Sequence, residues 1–237
     1  MTSSSIANLV DVLMAKVVQI NLKHSKCATD NLAVLLREED IDLAIIQEPW
    51  VHSSCVKGLN INGYNLFYDK GQGKPRSCIL AKTHLNAFLC SHLSSLDITT
   101  IRIERKLKPA ILVTSAYMPH DDEAPPEGVL LVQNFAQTEK LALLMGCDAN
   151  ARHSLWGSSE INDRGESLFD FILKCNLEVC NKGNTPTFIF PSTDDRVGWE
   201  EVLDIALCST SGSLALNDWR VSARNSFSNH KYIMFVM

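Results

Sequence analysis

An α/β domain built on two β-sheets is the fold the sequence predicts, and three features predict it. Short apolar runs such as "KVVQINL", "IDLAIIQEP", "AILVTSAYMP" and "LALLMGCDAN" have the length and β-branched character of buried strands. Helix-like stretches alternate with strands early in the chain, and the later half turns strand-rich. Hydrophobic residues make up 46% of the 237, enough for the large core such a domain buries.

The elements follow in order. Residues 1–15, a polar start and a short amphipathic stretch, are expected to be a tail; residues 16–237 are expected to form one domain. "KVVQINL" is the first strand. "SKCATDNLAVLLREED" opens on a capping-type residue and spaces its apolar residues as a helix does. "IDLAIIQEP" is a second strand, stopped by Pro49. A stretch holding Gly58, Gly63, Gly71 and Gly73 follows, with short strands at "YNLFY", "SCILA" and "ITTIRIE". "AILVTSAYMP" is a strand, and "PPEGVLLVQNFAQTEK" a helix opened by Pro126. "LALLMGCDAN" is a strand that stops at an acidic turn. "DRGESLFDFILKCN" reads as a helix and "LEVCN" as a strand; "NTPTFIF", "EEVLDIALCS", "LALNDWRVS" and "KYIMFVM" complete the strands. The chain stops inside an apolar run, as a domain cut from a longer polypeptide would; a protein that ends on a strand reads almost the same way.

Composition excludes several classes. No run has the length of a membrane-spanning helix, and the first residues lack the basic start and cleavage pattern of a signal peptide. The eight cysteines are scattered without a C-x₂-C pair, which argues for isolated thiols in a reducing compartment over a zinc site or a disulfide framework. A net charge of −5 weighs against a nucleic-acid partner. Carboxylates gathered around a metal enter that total, however, while the bound ion reverses the local sign. "KGQGKPR" and "RIERKLK" are dense in positive charge. Lys74, Arg76, Arg102 and Arg105 are therefore candidates for a basic rim, although such runs are more often solvated surface.

Polar residues of catalytic type stand at the ends of four strands: Asn21, Glu48, Tyr117, and Asp148 with Asn150. Strand ends are rigid platforms on which side chains converge. Asp204 lies inside the apolar segment "VLDIAL", where a carboxylate needs a partner. Arg220, a backbone donor or His230 would serve, and pairing with His230 would hold that imidazole charged and oriented.

The motifs "QINL", "IIQEPW", "SAYMP", "GCDANARHSLWGS", "NDRGESLFDFI", "NTPTF", "VLDIALCS" and "FSNHKYI" together resemble the DNase-I-like endonucleases. More narrowly, they resemble the apurinic-type endonuclease domain of non-LTR (LINE-type) retrotransposons. "DANARHSLWGS" with "NDRG" is similar to insect elements that insert in telomeric repeats or ribosomal genes. The resemblance runs from Lys16 to the end. It implies a four-layered α/β sandwich of two β-sheets flanked by helices, and a phosphodiesterase dependent on Mg²⁺, with Mn²⁺ as a substitute. It implies double-stranded target DNA as substrate, a reverse transcriptase domain in the same polypeptide, no membrane, and a nuclear location. Its roles transfer to Glu48 as metal ligand with Asn21 beside it, Asp148 as activator of the attacking water, Asn150 and Tyr117 at the phosphate, and the pair Asp204–His230. Arg152, Arg196 and Trp199 are further candidates for DNA contact; the last two lie in "FPSTDDRVGWEE", which has the look of a projecting hairpin. An abasic-site repair endonuclease, a phosphatase or lipase of the same superfamily, and a catalytically weakened DNA-binding form are the alternatives.

Asn229 is the departure, since the family has aspartate there. Natural divergence and a deliberate inactivating change both fit the sequence, and the intact remainder of the site favours the second. If position 229 touches a metal or its water, Asn229→Asp is expected to raise nicking strongly.

Overall fold

A computed structural model describes residues 14–106, 108–210 and 214–237. The expectation of an N-terminal tail falls on residues that, apart from 14 and 15, lie outside this set. Ala15 exchanges backbone hydrogen bonds of 3.0 Å with Met237 in both directions, so regular pairing reaches that residue.

β1 (Lys16–Asn21) and β2 (Leu43–Gln47) are parallel neighbours, joined through α1 (Lys26–Glu38). Ser25 caps α1 by accepting from the Ala28 amide. After Pro49 come the two-residue strands β3 (Val51–His52) and β4 (Cys55–Val56), then β5 (Tyr64–Phe67) and β6 (Ser77–Lys82). The second sheet starts with β7 (Ala87–Leu89), β8 (Ile98–Ile103) and β9 (Ile111–Tyr117). α2 (Glu127–Thr138) then leads to β10 (Ala142–Asp148), parallel to β9. α3 (Asp163–Lys174), β11 (Leu177–Val179) and the hairpin of β12 (Phe188–Phe190) with β13 (Trp199–Glu201) follow. β14 (Asp204–Ser209) completes the second sheet, in the order β11-β14-β10-β9-β8-β7. β15 (Asn217–Val221) and β16 (Ile233–Val236) return to the first, in the order β15-β16-β1-β2-β6-β5.

Three cores explain why so many strands are apolar on both faces. α1 packs Leu32, Leu35 and Leu36 on the outer face of the first sheet, with Ile20 and Ile46. α2 and α3 pack Val129, Val132, Leu168 and Phe171 on the outer face of the second, with Leu143 and Ile205. Val17, Ile45, Val113, Leu144 and Phe235 fill the space between the sheets. This is the expected four-layered sandwich.

A polar seam joins the sheets below their catalytic-type ends. Gln19 donates to the carbonyls of Cys147 (3.1 Å) and Ile205 (3.3 Å), and Gln47 donates to the Gly146 carbonyl (3.0 Å) and Ser115 Oγ (3.1 Å). Gly146 makes this approach possible: a Cβ there would lie 2.8 Å from both Gln19 Oε1 and Ile45 Cγ2.

Two sequence expectations change. "EEVLDIALCS" is not one strand. Glu201 turns its carboxylate back onto the amides of Val202 (2.8 Å) and Ser159 (3.0 Å), which separates β13 from β14. "RIERKLK" also does not reach the catalytic-type strand ends. Antiparallel pairing of β8 with β9 sets Ile98 opposite Ala116 and Ile103 opposite Ile111. Arg102 and Arg105 therefore lie at the far end of the sheet from Tyr117, where Arg102 pairs with Glu104 at 2.6 Å and Arg105 donates to the Pro109 carbonyl.

Candidate active site

The C-terminal ends of two parallel pairs, β1–β2 and β9–β10, bring Asn21, Glu48, Tyr117 and Asp148 to one edge of the sandwich. β14 runs antiparallel to β10 and sets Asp204 directly opposite Asp148. β16 runs antiparallel to β1, so the turn before it, carrying Asn229 and His230, falls beside Asn21; there Ser228 Oγ donates to the Asn21 carbonyl at 2.8 Å.

Asp148 is buried, and its Oδ2 accepts from Asn21 Nδ2 at 2.7 Å. Oδ1 is buried and has no partner among the described residues. Burial pushes the Asp148 carboxyl up to about 7; the charges of Asp204 and Glu48 add to the rise, while His230 and the Asn21 bond oppose it. His230 is also buried, and its Nδ1 faces both Asp204 oxygens at 2.8 and 3.1 Å. Burial alone would lower the imidazole, but the Asp204 carboxylate prevails and holds it at about 9. Arg220, the other partner considered for Asp204, instead donates to the Asp218 carbonyl. Tyr117 is pushed up to about 12, first by burial and then by Glu48 and Asp148, so its hydroxyl stays a donor.

Asp148, Asp204 and His230 each present an atom within 4.8 Å of the others, close enough for one cation. Both oxygens of Asp204 are engaged by Nδ1, however, so the trio already reads as a hydrogen-bonded pair beside a carboxylate. The oxygen left over is Asp148 Oδ1; Asn21 Oδ1 accepts from the Lys23 amide at 2.7 Å, and Glu48 follows β2, the parallel neighbour of β1, so the strand ends offer oxygen donors of the kind a hard divalent cation takes. Glu48 is fixed by backbone bonds on both sides: its N–H donates to the Arg76 carbonyl and its C=O accepts from the His24 amide, each at 2.8 Å.

Several residues that the sequence reading passed over hold the site together. Thr187 Oγ1 accepts from the Leu203 and Asp204 amides, both at 3.0 Å, and so positions Asp204. Arg164 donates to the carbonyls of Asn150 (3.0 Å) and Ala149 (3.4 Å), which fixes the loop carrying Asn150. Asn162 caps α3 through the Gly165 amide and also accepts from the Arg152 amide. Gly165 packs so near this loop that a Cβ would sit 1.8 Å from the Arg152 carbonyl. The spacing of "NDRG" is legible after the fact as a cap, a clamp and a close approach. Thr187 falls within the motif "NTPTF", but nothing in those residues marks it as the one that positions Asp204.

Asn150 donates to the Met118 carbonyl and lines a cavity of about 440 Å³ with Phe188, Trp199, Leu203 and His230. The expected hairpin is present, with Arg196 over the Phe190 ring and Trp199 at the cavity. Arg152 lies over Trp199 and pairs with Glu160. Lys74 is exposed. Arg76, expected at a basic rim, is instead bound to both Asp97 oxygens and stacks on Tyr117 at 4.8 Å, so it orients that ring.

The structure supplies a place for asparagine at 229. Nδ2 donates to the Ile189 carbonyl at 2.8 Å and Oδ1 accepts from Lys23 Nζ at 2.6 Å. Aspartate would turn an oxygen on Ile189 O and pair with Lys23 rather than with a metal. The expectation of a strong gain is therefore revised: Asn229→Asp should change single-turnover nicking by less than about threefold. A gain of ten-fold or more would restore the view that this residue silences the site.

A family model described as endonuclease-reverse transcriptase matches residues 111–234, more than half of the chain. The chain belongs to the endonuclease-reverse transcriptase family. It is similar to a putative 115 kDa protein in the type-1 retrotransposable element R1DM of Drosophila melanogaster, at 24% identity over 94% of this chain. It spans only 22% of that relative's length. The endonuclease domain of TRAS1, a telomere-specific non-LTR retrotransposon, matches with a TM-score of 0.81 and 26% identity, over 93% of this chain and 97% of that one. AP endonuclease LMAP from Leishmania major matches with a TM-score of 0.69 and 13% identity, covering 94% and 87% of the two chains, which shows the shared fold. This endonuclease-reverse transcriptase family member is thus a nuclease of the retrotransposon type, with the DNase-I-like fold expected from its motifs.

Proposed function

We propose that the domain nicks one strand of a specific double-stranded DNA target in the nucleus, and that the freed 3′ end primes a reverse transcriptase carried by the same polypeptide. The observation that carries the reading is the buried Asp148 carboxylate, with one oxygen on Asn21 and the other unpaired among the described residues, directly opposite the Asp204–His230 pair. Asp148 would take the proton of the attacking water. His230, held charged by Asp204, would donate to a phosphate oxygen together with the Tyr117 hydroxyl and the Asn150 amide. Glu48, with Asn21 beside it, would hold a divalent cation, Mg²⁺ or Mn²⁺, which when bound neutralises phosphate charge and stabilises the leaving oxygen. The P–O3′ bond breaks, the leaving oxygen takes a proton from solvent water, and the products are a 5′-phosphate and the 3′-hydroxyl a polymerase extends. The family's reverse-transcriptase association supports this use of the product.

A plasmid assay tests the reading. Supercoiled DNA carrying telomeric repeats or ribosomal-gene sequence should be relaxed with Mg²⁺ and left intact with EDTA. Glu48→Gln should lower the rate about 100-fold or more and weaken Mg²⁺ binding by calorimetry. Undiminished cleavage in EDTA would remove the metal from the mechanism. The aromatic wall of the cavity beside His230 also suits an extruded sugar, which favours the abasic-site alternative. Preference for an abasic plasmid over every intact target would select it.

Positive charge near the site is testable through salt. Lys74→Ala should lower the slope of log affinity against log salt by up to about one, whereas Arg102→Ala and Arg105→Ala should leave it unchanged. Equal slopes for wild type and the Lys74 variant would assign Lys74 to the solvated face.

A further inference from the structure

His24 stands beside Glu48 in the posture of a metal ligand. Its Nδ1 lies 2.9 Å from the Pro49 carbonyl, and only a protonated Nδ1 can donate there, which leaves the Nε2 lone pair free. Nε2 lies 3.6 Å from Glu48 Oε1, beyond a hydrogen bond. Two atoms that ligate one octahedral ion at about 2.1 Å lie roughly 3.0 Å apart in adjacent positions, so the 3.6 Å gap must close slightly, by a small turn of the ring or the carboxylate, for both to reach one ion. A ligating histidine usually anchors its other ring N–H on a carbonyl or carboxylate, as His24 Nδ1 is anchored on the Pro49 carbonyl here. The backbone enforces it: His24 (φ 54°) and Glu48 (φ 44°) are both held in the left-handed region, and the His24 amide is bonded to the Glu48 carbonyl. Lys23, the neighbouring residue, sends its ammonium to Asn229 and so does not neutralise Glu48.

We propose that His24 Nε2 ligates the divalent cation held by Glu48, and that this nitrogen makes the site favour Mn²⁺ over Mg²⁺. The inference deepens the metal assignment to Glu48 and rests on it. Mg²⁺ prefers oxygen donors and sheds water reluctantly, so an imidazole adds little to its binding; Mn²⁺ accepts nitrogen more readily.

Pulsed paramagnetic resonance of bound Mn²⁺ reads the ligand directly, without turnover. The wild-type protein should show nitrogen coupling that changes isotope when histidine is ¹⁵N-labelled. The coupling should vanish in His24→Gln, whose melting curve certifies its fold. Calorimetry should show Mn²⁺ affinity reduced about ten-fold or more in that variant, with Mg²⁺ affinity changed less than about three-fold. Glu48→Gln separates the two claims. If Mn²⁺ binding depends on Glu48 but shows no histidine coupling, or keeps its coupling in His24→Gln, the ligand proposal fails and the metal site stands. If Glu48→Gln leaves Mn²⁺ affinity unchanged, the metal site itself is misplaced.

Discussion

Replacing Asp148 with asparagine should stop nicking and, at the same time, make the metal-free protein harder to melt at pH 8. The first effect follows from losing the group proposed to accept the water proton, which costs about 10²–10⁴-fold in rate. The second follows from burial. The Asp148 carboxyl is raised to about 7, above its ordinary 3.8, so folding is opposed once the unfolded chain ionises. The penalty is absent below about pH 4, grows between pH 4 and 7, and is complete above. Asparagine keeps an oxygen for the Asn21 amide without carrying the charge. A gain of roughly 1–3 kcal/mol at pH 8 raises the melting temperature by several degrees for a chain of this size. Calorimetric melts of both proteins in EDTA at pH 4 and pH 8 measure it. The gain should shrink at pH 4, and Mg²⁺ should reduce it at pH 8 by stabilising the wild-type protein. A variant that melts lower than wild type at pH 8 would mean that Asp148 is not a strained, desolvated acid.

Most of this site was visible in one dimension because its residues sit where strands end. The apolar run before Glu48 and the run before Asp148 announce both their strands and their stopping points. Parallel pairing sets the ends of β1 and β2 side by side, and likewise those of β9 and β10; the Asn21–Asp148 hydrogen bond joins the two sets across the sheets. Asp204 betrays itself as a charge inside an apolar run. What stayed hidden depends on pairings that sequence does not encode locally. Lys23 and Asn229 are 206 positions apart, and only their contact explains why asparagine suits the second. Arg76 and Arg102 look alike as cations in strand-rich stretches, yet Arg76, just before β6, stacks on Tyr117, whereas the direction of β8 carries Arg102 to the opposite end of its sheet. His24 was passed over because nothing in "LKHSK" reveals that its ring turns towards Glu48.

Changing Asp204 to asparagine should move the whole pH dependence of nicking. In the wild-type protein the Asp204 carboxylate keeps His230 charged up to about pH 9 despite its burial. Without that charge, burial is opposed only by Asp148 and Glu48, and the imidazole deprotonates at markedly lower pH. The alkaline fall in activity should therefore shift downward from about pH 9 by at least one pH unit. The acid limb should shift downward too, because Asp204 is one of the charges that raise Asp148. Above the shifted limb the variant meets DNA with a neutral histidine, and loss of that charged donor should cost about 10²–10³-fold. Stability follows the same ion pair. A histidine raised from 6.5 to about 9 stabilises the fold fully below pH 6.5, and the contribution is lost as pH rises through 9. The variant should lose about 2–3 kcal/mol at pH 6 and much less at pH 9.5. Single-turnover nicking and thermal melts between pH 5.5 and 9.5 supply both readouts. A uniform drop in rate with an unmoved alkaline limb would show that Asp204 only shapes the site, and that the charge on His230 does no part of the chemistry.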